Sequence, residues 1–228
     1  MKKVAINGLG RIGRLALRHY LLERPRHFEI VAANDLTPAD EMAYLIRYDS
    51  VHGRAPFPVA AGDGVLSFGD ASVKLSAEKD PSKLPWKSLG VDYVIECTGR
   101  FTKKEAASKH IEAGAKRVII SAPAGDADIT IVLGVNDAEY DPAKHVVVSN
   151  ASCTTNSIAP VIKVLDEAFG VDYFMATTIH AYTATQTIVD TPVGDKRRGR
   201  AAAISLIPST SGAAKAMVPL FPHLKGKM

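Results

Sequence analysis

The sequence predicts an α/β fold in which a parallel sheet is wound on both faces by helices. Two observations carry this prediction. Short apolar, β-branched runs alternate with stretches of helical periodicity over about the first 150 residues, and a glycine-rich turn joins the first run to the first helical stretch. The alternation stops near Ser149, which divides the chain into residues 1-150 and 151-228.

The elements follow in order. Lys3–Asn7 is a short apolar strand, Gly8-Leu9-Gly10-Arg11-Ile12-Gly13 is a turn, and Arg14–Leu22 has helical spacing. Phe28–Ala33 is a second strand, ending in Asn34-Asp35. Residues 36–90 are less regular and rich in glycine and proline, with Leu66–Phe68 and Ser72–Leu75 as hairpin strands and Trp86 as a packing anchor. Val91–Gly99 is a strand running into a turn, Lys103–Ala113 a helix, and Arg117–Ser121 a strand before Ala122-Pro123. Thr130–Gly134 and His145–Ser149 are two more β-branched runs, and Ile158–Phe169 returns to helical spacing.

Composition sets limits on function. With 228 residues and 46% apolar content, the chain can bury one large core or two smaller ones. No apolar stretch approaches the roughly 20 residues of a membrane span, and Met1–Ile6 leads into a strand instead of a signal-peptide core, so no membrane association and a cytoplasmic location are expected. Cys97 and Cys153 are too few for a disulfide framework and lack the spacing of a zinc site, so no metal is expected. The net charge is +4 and the pI near 9.0. The main basic cluster, Lys196–Arg200, lies among glycine, proline and small residues. A solvated loop or an anion site for a phosphorylated substrate accounts for it better than nucleic acid, because neither an aromatic RNA-binding motif nor helix-turn-helix spacing accompanies it.

Strand, glycine turn and helix at the N-terminus form the dinucleotide-binding arrangement of a Rossmann domain. Gly8 permits the tight turn, Gly10 lets backbone N–H groups approach a pyrophosphate, and Gly13 lets the helix lie close to the strand. Arg11 and Ile12 stand between them at the helix start, and Asp35, 22 positions beyond Gly13, is placed to grip the ribose hydroxyls. A carboxylate there repels a 2′-phosphate, which favours NAD over NADP. Arg14 reads as solvated surface charge. Thr98, Gly99, Ser121 and Cys153 all fall just past strand ends, so they line the crevice where such sheets bind ligands.

The richest chemistry lies in Ser149-Asn-Ala-Ser-Cys-Thr-Thr-Asn156 and Thr177-Thr-Ile-His-Ala-Tyr-Thr-Ala-Thr-Gln186. Small polar residues crowd around Cys153, and the helical stretch behind them puts it at or just before a helix N-terminus. A cysteine with an unperturbed pKa of about 8.5 is only a few per cent thiolate near neutrality. Making the thiolate dominant takes about 3 kcal/mol, whereas a helix terminus typically supplies about 0.3 to 1. A protonated imidazole makes up the difference, and His180 is the nearest candidate along the chain. An isolated cysteine and histidine are more often inert and buried; the polar setting and the dinucleotide turn reverse that expectation.

These segments, with Tyr48–Gly53 and Ser211–Ala216, resemble the phosphorylating, NAD-linked glyceraldehyde-3-phosphate dehydrogenases from Met1 to Met228. The resemblance implies a Rossmann sheet followed by the start of an α+β catalytic domain. It makes Cys153 the nucleophile that attacks the aldehyde and His180 the base, with glyceraldehyde 3-phosphate, NAD and inorganic phosphate as reactants. It places the two phosphates against Thr183, Thr185 and Arg198 on one side and Ser152, Thr154, Ser211 and Gly212 on the other. It also makes Tyr182 to Ser209 an S-loop that packs against neighbouring subunits, so a homotetramer is expected.

Three departures from the family pattern stand out. Ser211 replaces a threonine and keeps the hydroxyl; Ser157 replaces a second cysteine; and the family pattern continues beyond Met228 with more catalytic-domain sheet, another phosphate-binding arginine and a C-terminal helix. An alternative is an NAD-binding module without turnover, acting through nucleic acid or a partner. Another is erythrose-4-phosphate dehydrogenase, against which Ala181–Gln186 argue.

Overall fold

Val4, Ala5, Ile6 and Asn7 are buried in succession within β1 (Lys2–Asn7), the mark of a strand covered on both faces at the middle of a parallel sheet. Their side chains alternate: Val4 and Ile6 join a core with Leu17, Leu21, Ile30, Met42 and Ile46, while Ala5 joins Ala32, Trp86, Val91 and Val94 on the opposite face. This is the two-sided core of a doubly wound sheet.

A computed structural model describes residues 1–228, which form two compact units, Met1–Pro160 and Val161–Met228. The first unit runs β1, α1 (Arg11–Glu23), β2 (Phe28–Asn34), α2 (Ala39–Arg47), β3 (Tyr48–Asp49), β4 (Gly53–Arg54), β5 (Ala60–Gly62), β6 (Val65–Phe68), β7 (Ala71–Ser76), α3 (Trp86–Leu89), β8 (Tyr93–Glu96), α4 (Lys104–Glu112), β9 (Arg117–Ile120), β10 (Ile129–Thr130), β11 (Val147–Ser149) and the start of α5 (Cys153–Phe169). The main sheet has nine strands in the order β10-β11-β9-β8-β1-β2-β7-β6-β5. Ladders from β10 through β7 are parallel, whereas β6 pairs antiparallel with β7 and with β5. The hairpin expected at Leu66 and Ser72 therefore forms, and it extends the parallel sheet instead of standing apart from it.

β1 pairs with β2 on one side and β8 on the other, so the strand order reverses at β1 and opens a crevice beyond the carboxyl ends of β1 and β8. Two elements differ from the sequence reading. Residues 39–47, taken as irregular, form α2: Pro38 precedes it, Asp40 and Glu41 occupy its first turn, and Met42, Ala43 and Ile46 make its buried face. The run Thr130–Gly134 contributes only its first residue to β10. Val132 to Asn136 turns instead, because the Asn136 side chain accepts from Val132 N–H and donates to Thr130 C=O.

The second unit holds the remainder of α5, then α6 (Ala213–Met217) and a 3-10 turn at Pro222–Leu224. Among the described residues, none after Ser149 lies in a strand. Met217, Phe221 and Leu224 are buried, while Ile179 and Leu206 are 97% and 95% exposed. Hydrogen bonds from Thr191 N–H to Gly199 C=O and from Ala202 N–H to Thr187 C=O close the long loop on itself.

Candidate active site

The three glycines after β1 face different surroundings. Gly8 has φ +91°, and a Cβ on it would lie 2.7 Å from Thr98 N, so β1 and β8 can open onto one another only with glycine there. A Cβ on Gly13 would lie 2.0 Å from Gly8 O, which is how α1 seats on the strand. A Cβ on Gly10 would meet nothing within 4 Å. Gly10 also begins α1 with no side-chain cap and no acidic residue in the first turn. A helix N-terminus with open space before it and nothing of its own covering its N–H groups fits a pyrophosphate.

Asp35 lies just past β2. Its Oδ2 accepts from Leu9 N–H at 2.7 Å and its Oδ1 from Thr37 N–H at 2.9 Å. Each carboxylate oxygen offers a second lone pair, which suits it to two vicinal ribose hydroxyls. Ile12 is exposed at the start of α1, and Arg11 turns to the carboxylate of Asp49 at the end of β3. Burial alone would raise the Asp49 carboxyl, but N–H donation from His52, the Arg11 guanidinium and N–H donation from Val51 outweigh it and hold the group well below the usual range. Arg14 corrects the sequence reading: it is half-buried and donates to Leu9 C=O at 2.9 Å, bracing the glycine turn instead of standing in water.

Thr98 follows β8, with its N–H and hydroxyl both donated to Glu96 Oε1, and Gly99 continues the turn at φ +70°. Ser121 follows β9 and pairs with the Cys97 thiol; burial pushes that thiol up to about 11 despite the bond to Ser121.

At the end of β11 the chain makes a tight, over-determined loop. Ser149 Oγ donates to Ala122 C=O and accepts from Ala124 and Ala151 N–H. Asn156 Nδ2 clamps Asn150 C=O at 2.7 Å and Ser152 C=O at 2.9 Å. Between these anchors Ala151 is held at φ +58°, an uncommon conformation for a residue with a Cβ. Ser152 then caps α5, its Oγ accepting from Thr155 N–H at 3.0 Å. Cys153 is the exposed first residue of that helix, as the sequence led us to expect, and Thr154 is half-buried beside it. The glycine turn, Asp35, Thr98, Gly99, Ser121, Ser152, Cys153 and Thr154 thus all lie at the carboxyl ends of strands of one sheet.

His180, Thr183, Thr185, Arg198, Ser211 and Gly212 belong to the second unit. His180 is exposed, and its Nδ1 lies 2.6 Å from Ala181 C=O. A carbonyl only accepts, so Nδ1 carries a proton and Nε2 is the atom that takes one when the ring acts as a base. Arg198 reaches Thr185 Oγ1 at 3.1 Å and Ser209 Oγ at 2.7 Å, and Thr185 Oγ1 lies 3.0 Å from Thr183 Oγ1. Three hydroxyls and a guanidinium therefore converge, a donor set suited to a phosphate. Ser209 was not singled out from the sequence; its place at the end of the S-loop segment was the available signal. Arg197 and Arg200 pair with Asp195 and Asp190, and Arg198 Nε also lies 3.9 Å from Asp195 Oδ2, so acidic neighbours neutralise much of the basic cluster. Ser211 Oγ accepts from Ala213 N–H, and Gly212 precedes α6.

Sequence reasoning missed the buried polar residues beneath the crevice: Asn7, Asn34, Glu96 and His110. Polar residues at the ends of apolar strand runs were the signal that could have found them. Among the described residues, no group of three or more His, Cys, Asp or Glu is arranged to hold a metal, and no helix is long and apolar enough to cross a membrane.

Comparison with known proteins adds the chemistry's name. Residues 2–104 match the family model for the glyceraldehyde 3-phosphate dehydrogenase NAD binding domain, and residues 152–228 match that for the C-terminal domain. The glyceraldehyde-3-phosphate dehydrogenase of Geobacillus stearothermophilus is 55% identical over 99% of this chain and 67% of its own length. Glyceraldehyde-3-phosphate dehydrogenase 1 of Bacillus cereus is 53% identical over 100% of this chain and 68% of its own, and that of Bacillus subtilis is 53% identical over 99% and 67%. The chain spans about two thirds of the length of these relatives. With both family models matched and half of its residues shared along its whole length, the chain belongs to the glyceraldehyde-3-phosphate dehydrogenase family.

Proposed function

We propose that Cys153 is the nucleophile and His180 the base in the NAD-linked, phosphorylating oxidation of glyceraldehyde 3-phosphate. Family membership makes the chain an oxidoreductase with NAD as its cofactor. The observation that carries the residue assignment is the exposed position of Cys153 at the first turn of α5, on the same sheet edge as the glycine turn and Asp35.

The glycine turn and the N-terminus of α1 would hold the pyrophosphate, Asp35 the adenosine ribose, and Thr98, Gly99 and Ser121 the far side of the crevice. NAD, when bound, supplies the acceptor for the hydride that oxidation releases. The Cys153 sulfur adds to the aldehyde carbon, giving a hemithioacetal, and His180 Nε2 takes the hydroxyl proton as the carbon is oxidised. The carbon is left on sulfur as a thioester. Attack by inorganic phosphate then breaks the carbon–sulfur bond, yields 1,3-bisphosphoglycerate and restores the thiolate. Covalent capture splits one difficult oxidation into two easier transfers. Thr183, Thr185 and Arg198 form one phosphate subsite, and Ser152, Thr154, Ser211 and Gly212 supply the other.

The same reading extends to a cytoplasmic homotetramer; large apolar side chains left exposed between Tyr173 and Leu206 support contact with other subunits. Pairing of Arg197 and Arg200 with acidic neighbours weighs against nucleic acid. Neither an inactive binding module nor an erythrose 4-phosphate enzyme is favoured over this reading.

The test is NADH formation from NAD and glyceraldehyde 3-phosphate, with and without inorganic phosphate, by the chain and its Cys153→Ser variant. The expected result is phosphate-dependent turnover that falls by about a thousandfold or more in the variant while NAD affinity stays within about twofold. Near-normal turnover in Cys153→Ser would overturn the assignment.

A further inference from the structure

Glu96 stands at the end of β8 and is 1% exposed, yet nothing in the proposed reaction uses it. Two lines of hydrogen bonds converge on its carboxylate. In the first, Glu78 N–H donates to Asn34 Oδ1 at 2.8 Å, Asn34 Nδ2 donates to Asn7 Oδ1 at 2.8 Å, and Asn7 Nδ2 donates to Glu96 Oε2 at 2.6 Å. A backbone N–H starts this line and can only donate, so both amide orientations are fixed by it. In the second, Trp86 Nε1 donates to His110 Nδ1 at 3.0 Å, and His110 Nε2 lies 3.0 Å from Glu96 Oε2. An indole N–H has no acceptor capacity, so Nδ1 accepts and Nε2 carries the proton toward Glu96. The 3.4 Å approach of Asn7 Nδ2 to His110 Nε2 is then two donors meeting at a shared acceptor. Glu96 Oε1 takes the N–H and hydroxyl of Thr98. Four donors face the group: Asn7 Nδ2, His110 Nε2 and the N–H and hydroxyl of Thr98.

Asn7, Asn34 and Glu96 are the last residues of β1, β2 and β8. Each immediately precedes, or lies two residues before, a group assigned to the cofactor: Gly8, Asp35 and Thr98. We propose that Glu96, aimed by His110 and Trp86, is a positioning residue for NAD, locking the glycine turn after β1 to the Thr98–Gly99 turn after β8. The proposal rests on the reading of this crevice as the NAD site. Adenosine monophosphate engages the Asp35 side, whereas NAD spans the crevice to the Thr98 turn that Glu96 holds directly. Loss of the lock therefore weakens the dinucleotide more than the mononucleotide.

The experiment measures Kd for NAD and for adenosine monophosphate with the full chain, its Glu96→Gln variant and its Trp86→Phe variant, alongside the His110 tautomer by long-range proton–nitrogen NMR. In wild type, His110 shows the Nε2–H tautomer. In Glu96→Gln one amide edge faces two donors, and NAD affinity falls about tenfold or more while adenosine monophosphate affinity changes about threefold or less. Trp86→Phe keeps a packed ring, removes one donor, and is expected to give mixed His110 tautomers and about a threefold loss for NAD. Trp86→Phe decides the matter if Glu96→Gln does not fold. An Nδ1–H tautomer in wild type, unchanged NAD affinity in the folded variants, or equal losses for the two ligands would overturn the positioning role. Failure of the wild-type chain to bind NAD would instead remove the reading on which the proposal rests.

Discussion

The two units of the chain use the same kinds of apolar residue to opposite ends. In Met1–Pro160, Ile6, Leu9, Leu17, Ile46 and Leu66 are fully buried, each serving a sheet whose neighbours come from distant parts of the sequence. In Val161–Met228, Met175, Ile179, Ile188, Ile204 and Leu206 stand in solvent, and only Met217, Phe221 and Leu224 are buried apolar anchors after Ile162. The difference lies in the ladder and not in the alphabet. A parallel strand buried on both faces supplies a surface for every side chain it carries, whereas a loop closed by a few backbone bonds supplies none.

The largest test of this contrast is hydrogen exchange. In the monomeric chain, amides of β1 and β8 are expected to exchange at least about ten-thousandfold more slowly than those of residues 176–182, because opening the former requires unfolding the core. Comparable protection in the two segments would erase the distinction. Next, in a denaturant titration dilute enough to keep the chain monomeric, Ile6→Ala should cost about 2–5 kcal/mol and Ile179→Ala less than about 0.5; a cost above about 1 kcal/mol at Ile179 would show that it packs within the single chain. The smallest effect concerns the two cysteines. With the Cys97 thiol pushed up to about 11, its thiolate is about a thousandth of the total at pH 8. Alkylation at that pH should thus label Cys153 about a hundredfold faster, and the Cys97 rate should climb as pH rises toward 11. Equal labelling at pH 8 would contradict the burial of Cys97.

Much of the first unit was legible because its signals are local. Periodicity locates β1, α1, β2, β8, α4 and β9, and the helical spacing behind Cys153 places that residue at a helix N-terminus. α2 was overlooked because its nine residues sit in a stretch dominated by glycine and proline signals, although Pro38, Asp40 and Glu41 mark its start. The assignment of Arg14 to solvent failed for a different reason: nothing local tells an exposed guanidinium from one reaching a carbonyl five residues back. The buried network was illegible on the same ground, since Asn7, Asn34, Glu96 and His110 are far apart in sequence and meet only when the strands align. Arg198 lies between these cases. Its neighbourhood was legible, but only the reach of its guanidinium to Thr185 and Ser209 singles it out from Arg197 and Arg200, since Asp195 approaches Arg198 as well as Arg197.

The glycine turn, finally, separates two selections that a sequence motif runs together. At position 13 any side chain collides with the carbonyl of Gly8, so a library sorted only for folded protein should already return glycine there. At position 10 a Cβ would meet no protein atom within 4 Å, and the same sort should return residues other than glycine until the library is challenged with dinucleotide. One glycine would thus be retained by the architecture and the other by the ligand, and comparing the two enrichments would report how much of the motif belongs to each.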